Sequence, residues 1–311
     1  MAVTASIAQL LCRPAASRQK AAAARRYAGR LEAQLASFDA RFAGQAAAAP
    51  AYCETPVFIL SAGWRSGSTL LQRMVMAHNP EIIIWGEPYA AASPVLALVD
   101  QLRPFSDDWP SPEYFVEGQA EELSQSWVAN LYPPATSFRA AHQAYLETLF
   151  AAPARDLGRR QWGLKEVRFG ADEVRYLRWL YPQAKFVFLV RDPADAYRSY
   201  RSRLNWYARW PDRMVANPYE FGAHWARLAC DFLALRQQGL GLLLRYEDLG
   251  SEAAVTALSE YLGWAVPPRD EMQQVKGWAQ ANSTRRHLLE SFLLRRGAGR
   301  VAQELGYGRA G

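Results

Sequence analysis

Four short runs of apolar residues punctuate the chain: Val57 to Leu60, Ile82 to Trp85, "AKFVFLV" (184–190) and "LGLLLR" (240–245). Each is too short for a helix and ends at a polar or glycine-containing turn, so each reads as a strand buried on both faces. Between them the apolar positions recur at helical spacing over 68–78, 171–181, 193–208, 219–237 and 252–262. Strands of this kind alternating with helices predict an α/β fold: a parallel sheet flanked by helices on both faces. In such a sheet ligands bind beyond the carboxyl ends of the strands, which directs attention to the residues that follow each apolar run.

Two regions depart from that pattern. Residues 17–43 place Tyr27, Leu31, Leu35 and Phe38 on one helical face, and "GQAAAAP" then reads as a linker, so residues 1–50 form a helical extension ahead of a main domain spanning 51–311. Residues 100–150 carry Trp109, Tyr114, Phe115, Trp127, Tyr132 and Phe138 among several prolines and show no clear strand; they read as an insertion of helices and loops on the acceptor side of any site. No internal repeat is visible.

With 311 residues, half of them hydrophobic, the chain has material for a substantial core. The formal charge of +6 is spread out, without a Lys/Arg block suited to nucleic acid, and a mild positive field suits small anionic ligands. Cys12, Cys53 and Cys230 are too widely spaced for a CxxC site and point to a reducing compartment. No apolar stretch approaches the ~18 residues of a membrane helix, so the expectation is a soluble, cytoplasmic protein without a membrane span or nucleic-acid partner. Residues 1–31 hold Arg13, Arg18, Lys20, Arg25, Arg26 and Arg30 and no acid, as transit peptides do; the preferred reading is a basic surface helix.

The candidate chemistry lies at the strand ends. "SAGWRSGSTLL" (61–71) is a strand running through Gly63 and Gly67 into a helix, a turn that aims backbone N–H groups and a helix dipole at one point. Arg65 adds a guanidinium fork, and Ser66, Ser68 and Thr69 add hydroxyls. The ATP-binding motif has four residues between its glycines and then a lysine; here there are three and no lysine. Geometry alone admits any phosphate, or merely a helix capped by Ser68. A second anion site follows the 184–190 run, where Arg191 emerges at the sheet edge and Ser199 lies in the next helix. Two such sites suit a ligand with phosphates at both ends.

In these motifs the chain resembles the PAPS-dependent sulfotransferases. "GWRSGSTLL" is similar to that family's loop for the 5′-phosphosulfate and "FLVRDPADAYRSY" to its 3′-phosphate strand and helix; "LLLRYEDL" and the helix to "YLGW" match the usual continuation. The resemblance covers roughly residues 55–265. It implies a P-loop-like α/β fold and transfer of a sulfuryl group from 3′-phosphoadenosine-5′-phosphosulfate (PAPS) to a hydroxyl, with no metal expected. Arg65, where many soluble members have lysine, brings it nearer to carbohydrate, tyrosyl-protein and bacterial members, and leaves a saccharide, peptide or small-molecule acceptor open.

The same resemblance implies roles for single residues. Arg65, Ser66, Gly67, Ser68 and Thr69 hold the phosphosulfate, and Arg191 and Ser199 the 3′-phosphate. Glu87 in "IIIWGEP", just past the second apolar run, matches a general base, its alternative being a cap or a pairing with a nearby arginine. Lys165 in "WGLKEV" matches a lysine that approaches the transferred group, although Glu166-Val167 replaces the usual Thr-Pro or Asp-Pro; the alternative is a loop lysine. "RYEDL" reads as a structural turn with Asp248 as a helix cap, and His78, His142, His224 and His287 as lying away from the strand ends. The rival readings are a P-loop kinase using ATP and Mg²⁺, and a non-catalytic nucleotide-binding scaffold. Oligomeric state is not legible.

Overall fold

The computed structural model of the chain describes residues 55–87, 93–105, 131–201, 217–272 and 288–307, with positions 31, 33, 35, 36, 40, 110, 111, 114–116, 129 and 215. Five strands, β1 (Val57–Ser61), β2 (Ile82–Trp85), β3 (Gln161–Glu166), β4 (Lys185–Val190) and β5 (Leu242–Arg245), form one sheet in the order β2-β3-β1-β4-β5. Every pairing is parallel, so all carboxyl ends lie along one edge. Leu60 stands beside Glu166 of β3 and Phe188 of β4 in register, which brings the ends of the three central strands together.

Among the described residues the α-helices of known bounds are α1 (Ser68–Ala77), α2 (Pro94–Leu102), α3 (Ala135–Leu146), α4 (Ala152–Asp156), α5 (Ala171–Leu180), α6 (Pro193–Arg201), α7 (Pro218–Gln237), α8 (Glu252–Leu262) and α9 (Leu288–Glu304); a π-helical turn, Glu147–Ala151, joins α3 to α4. The two-residue period of a strand sorts the core into two layers. Val57 and Ile59 face Leu71, Met74 and Val75 of α1 and Leu258 and Leu262 of α8. Phe58 and Leu60 face the opposite way, with Trp162, Phe186 and Phe188, toward Val174 and Leu177 of α5 and Phe232 of α7. Burial on both faces is why these strands read as unbroken apolar runs.

Four strands stand where the apolar runs predicted them, and β3 is the addition. Its sequence, "QWGLKE", breaks the apolar pattern for two reasons. A Cβ at Gly163 would collide with the Val57 carbonyl and the Ile84 side chain, so no side chain fits there. Lys165 and Glu166 are buried with partners of their own, described below. Lys165 is thus a strand residue near the centre of the sheet, and the loop alternative is overturned.

Within 100–150 the described residues include the end of α2, α3 and the start of the π-helical turn, and a parallel bridge joins Phe115 to Tyr132. The N-terminal helix expected over 17–43 lies outside the described residues except for a few positions, of which Leu31 and Leu35 are helical and buried. Among the described residues no helix is long and apolar enough to cross a membrane.

Candidate active site

The turn after β1 is held by its own backbone and hydroxyls: Ser66 Oγ donates to the Gly63 carbonyl at 3.1 Å and Ser61 Oγ to the same oxygen at 3.3 Å. α1 opens on Gly67, whose φ of 91° suits glycine, and among the described residues no side chain caps the helix. Ser68 is the first helical residue, so the reading of Ser68 as a mere N-cap fails. The helix therefore presents its first-turn N–H groups without a side-chain acceptor, the arrangement that receives an anion. Thr69 is exposed beside them and Ser68 is buried.

Arg65 has a φ of 63°, the one left-handed non-glycine among the described residues. A branched-free side chain tolerates this at a cost of about 1–3 kcal/mol, and such strain clusters at functional sites. What holds it is visible: Arg65 Nε donates to Ser199 Oγ at 2.8 Å, and the Arg65 carbonyl accepts from Arg191 Nη1 at 3.0 Å. Two motifs more than 120 residues apart, separated by 126 positions at Arg191 and 134 at Ser199, are thereby one hydrogen-bonded unit. Arg191 Nε is buried and lacks a hydrogen-bond partner among the described residues.

Tyr246, the first residue after β5, packs at this corner; "RYEDL" is a structural turn, as read, and its tyrosine was not singled out by that reading. The Arg191 guanidinium lies 4.4 Å from its ring centroid, and the ring covers Gly67 so closely that a Cβ there would overlap it. The signal was available, because the same position after β4 had singled out Arg191. Asp248 is not the cap of α8; Ser251 takes that place, its hydroxyl accepting from Ala254 N–H at 3.3 Å.

On the α1 side of β3, Lys165 Nζ donates to Glu87 Oε1 in a close ion pair whose side chains are only 7% and 14% exposed. Glu87 therefore pairs with lysine, and its other oxygen, Oε2, is buried without a hydrogen-bond partner among the described residues. Glu166 points to the opposite face, where Arg168 grips it at 2.6 and 3.0 Å. Burial pushes Glu166 up to about 7, with Arg168 opposing and the Glu87 charge adding to the rise. The histidines are mostly where they were expected: His78 ends α1 and His142 is buried in α3. His224 is the exception, since its ring stacks on Trp64 of the loop, centroids 5.1 Å apart. His287 lies outside the described residues.

The parallel sheet and the glycine turn that opens a helix at its carboxyl edge define an α/β fold of the P-loop type. The family model described as "Sulfotransferase family" matches residues 56–268, and the chain belongs to that family. No curated protein sequence resembles it significantly. Among solved structures it is similar to the sulfotransferase domain from the curacin biosynthetic pathway, with 17% identity over 82% of this chain and 99% of that one and a TM-score of 0.46. It is also similar to the sulfotransferase domain from the Synechococcus PCC 7002 olefin synthase, at 17% identity, 86% and 98% coverage and a TM-score of 0.44. A mouse sulfotransferase, SULT7A1 complexed with PAP, matches at 12% identity, 77% and 66% coverage and a TM-score of 0.36. Likenesses at this level say nothing of substrate.

Proposed function

We propose that the protein transfers the sulfuryl group of PAPS to the hydroxyl of an acceptor. The observation that carries this is the joining of the glycine turn to the Arg191 and Ser199 motif through Arg65. It fits a ligand with one phosphate at the α1 N-terminus and another beside Arg191. In the fit, the turn N–H groups, Arg65 and the hydroxyls of Ser66, Ser68 and Thr69 receive the 5′-phosphosulfate, and Arg191 and Ser199 the 3′-phosphate.

In an in-line transfer the acceptor oxygen forms a bond to sulfur as the sulfur–phosphate oxygen bond breaks, and adenosine 3′,5′-bisphosphate leaves. Charge grows on the leaving oxygen and stays on the equatorial oxygens, so fixed cationic donors lower the barrier. Arg65 and Lys165 supply them. The acceptor proton goes to Glu87, whose Oε2 has no hydrogen-bond partner among the described residues while Oε1 is occupied by Lys165. Movement of Lys165 toward the sulfuryl oxygens would release Oε1 of Glu87 as well.

The test is Glu87→Gln. The variant is expected to bind adenosine 3′,5′-bisphosphate as the parent does, and to lose at least about a hundredfold in transfer of labelled sulfate to hydroxyl acceptors, the usual yield of a general base. Near-parental transfer would make Glu87 structural.

A further inference from the structure

The turn that carries Arg191 is fixed from both sides. The Arg191 carbonyl accepts from Trp225 Nε1 at 3.0 Å, and the next backbone N–H, of Asp192, donates to Glu247 Oε1 at 2.9 Å. Both partners lean on one residue near the end of the chain. The Tyr307 hydroxyl donates to Glu247 Oε2 at 2.7 Å, and its ring meets Trp225 edge to face with centroids 6.1 Å apart. Arg245 covers the same ring at 4.6 Å. Burial, then Glu247, raises the Tyr307 hydroxyl far above its ordinary value, so it stays a donor throughout the neutral range.

The fold delivers Tyr307 to this place. Gly222 and Gly297 let α7 and α9 approach until a Cβ at Gly222 would stand 2.5 Å from the Leu294 carbonyl. After α9 the chain turns at Gly306, with Tyr307 N–H donating to the Ala302 carbonyl at 2.7 Å. Without the tyrosine, Glu247 is tied to the Arg191 turn through one oxygen and is free to rotate about that bond; with both oxygens engaged it is fixed.

We infer that Tyr307 is a positioning residue for the 3′-phosphate site: through Glu247 and Trp225 it holds the Arg191–Asp192 turn, so that the C-terminal segment sets the preference for nucleotides carrying a 3′-phosphate. This rests on the assignment of Arg191 to that phosphate. A hydrogen bond to a carboxylate contributes enough for a five- to tenfold change in affinity, on the order of 1 kcal/mol.

The experiment is calorimetric titration of the full chain with adenosine 3′,5′-bisphosphate and with adenosine 5′-monophosphate. Tyr307→Phe keeps the ring on Trp225 and Arg245 and removes only the hydroxyl. It is expected to weaken the bisphosphate about five- to tenfold and leave the monophosphate within about twofold, and to have no further effect in a Glu247→Ala background. Equal weakening of both nucleotides, no weakening, or full additivity with Glu247→Ala would overturn the inference alone. A parent protein without preference for the bisphosphate would overturn the donor assignment, and this inference with it.

Discussion

Replacing Lys165 by methionine keeps most of the side-chain volume and removes the ammonium from Glu87. The side chains are 7% and 14% exposed, and Glu87 Oε2 already lacks a hydrogen-bond partner among the described residues, so the variant takes from a carboxylate in a nearly dry site the one partner those residues give it. Removing one partner of such a pair destabilises by about 3–5 kcal/mol, whereas replacing both is close to neutral. A chain of this length has a melting entropy of ~0.65 kcal/mol/K, which converts the loss to a fall of about 5–8 °C in Tm. Lys165→Met with Glu87→Gln is expected to recover most of it, a coupling of at least about 2 kcal/mol. The assay is calorimetric melting at neutral pH and fixed ionic strength, without nucleotide. A single variant melting within about 2 °C of the parent, or a double variant no more stable than the single, would refute the reasoning.

Other consequences are as direct. Burial lowers His142 from its ordinary value to about 4; the unfolded chain therefore takes up a proton below about 6.5 that the folded chain refuses. Stability is expected to fall as pH drops from about 6.5 through 4, by on the order of 3 kcal/mol from this group. Burial raises Glu166 and acts in the opposite sense, removing stability as pH rises from 4.5 to about 7. The measurement is therefore the difference in pH profile between the parent and His142→Gln, and parallel profiles would contradict it. Gly67→Ala introduces a methyl at φ 91° against the Tyr246 ring. A loss of about 1–3 kcal/mol by thermal melting, with weakened bisphosphate binding, is expected; unchanged binding would separate the turn geometry from the ligand.

Where one element meets solvent or apolar neighbours on its own account, the sequence pattern was sufficient. β1, β2, β4 and β5 are apolar because both faces are covered, and α8 runs over the predicted span, Glu252–Leu262. β3 was illegible because its residues answer to distant partners: Gly163 to the Val57 backbone, Lys165 to Glu87, and the buried Glu166 to Arg168. The same holds in the site. Arg65, Arg191 and Ser199 stood out by position, but their direct contacts exist only in three dimensions. Glu247 looked like one charge among several in "RYEDL", and nothing local ties it to Asp192 or to Tyr307. His224 sat in mid-helix and gave no sign that its ring supports Trp64.

The central claim, that the glycine turn and the Arg191 motif form one site for a doubly phosphorylated nucleotide, is tested most directly by calorimetry with adenosine 3′,5′-bisphosphate, ATP and ADP on the parent and on Arg191→Ala. The parent is expected to bind the bisphosphate at least about tenfold more tightly than either of the others, and Arg191→Ala to abolish that preference by removing a charge-assisted contact of about 1.5–3 kcal/mol. Equal affinity for all three nucleotides, or an Arg191→Ala variant indistinguishable from the parent, would contradict it.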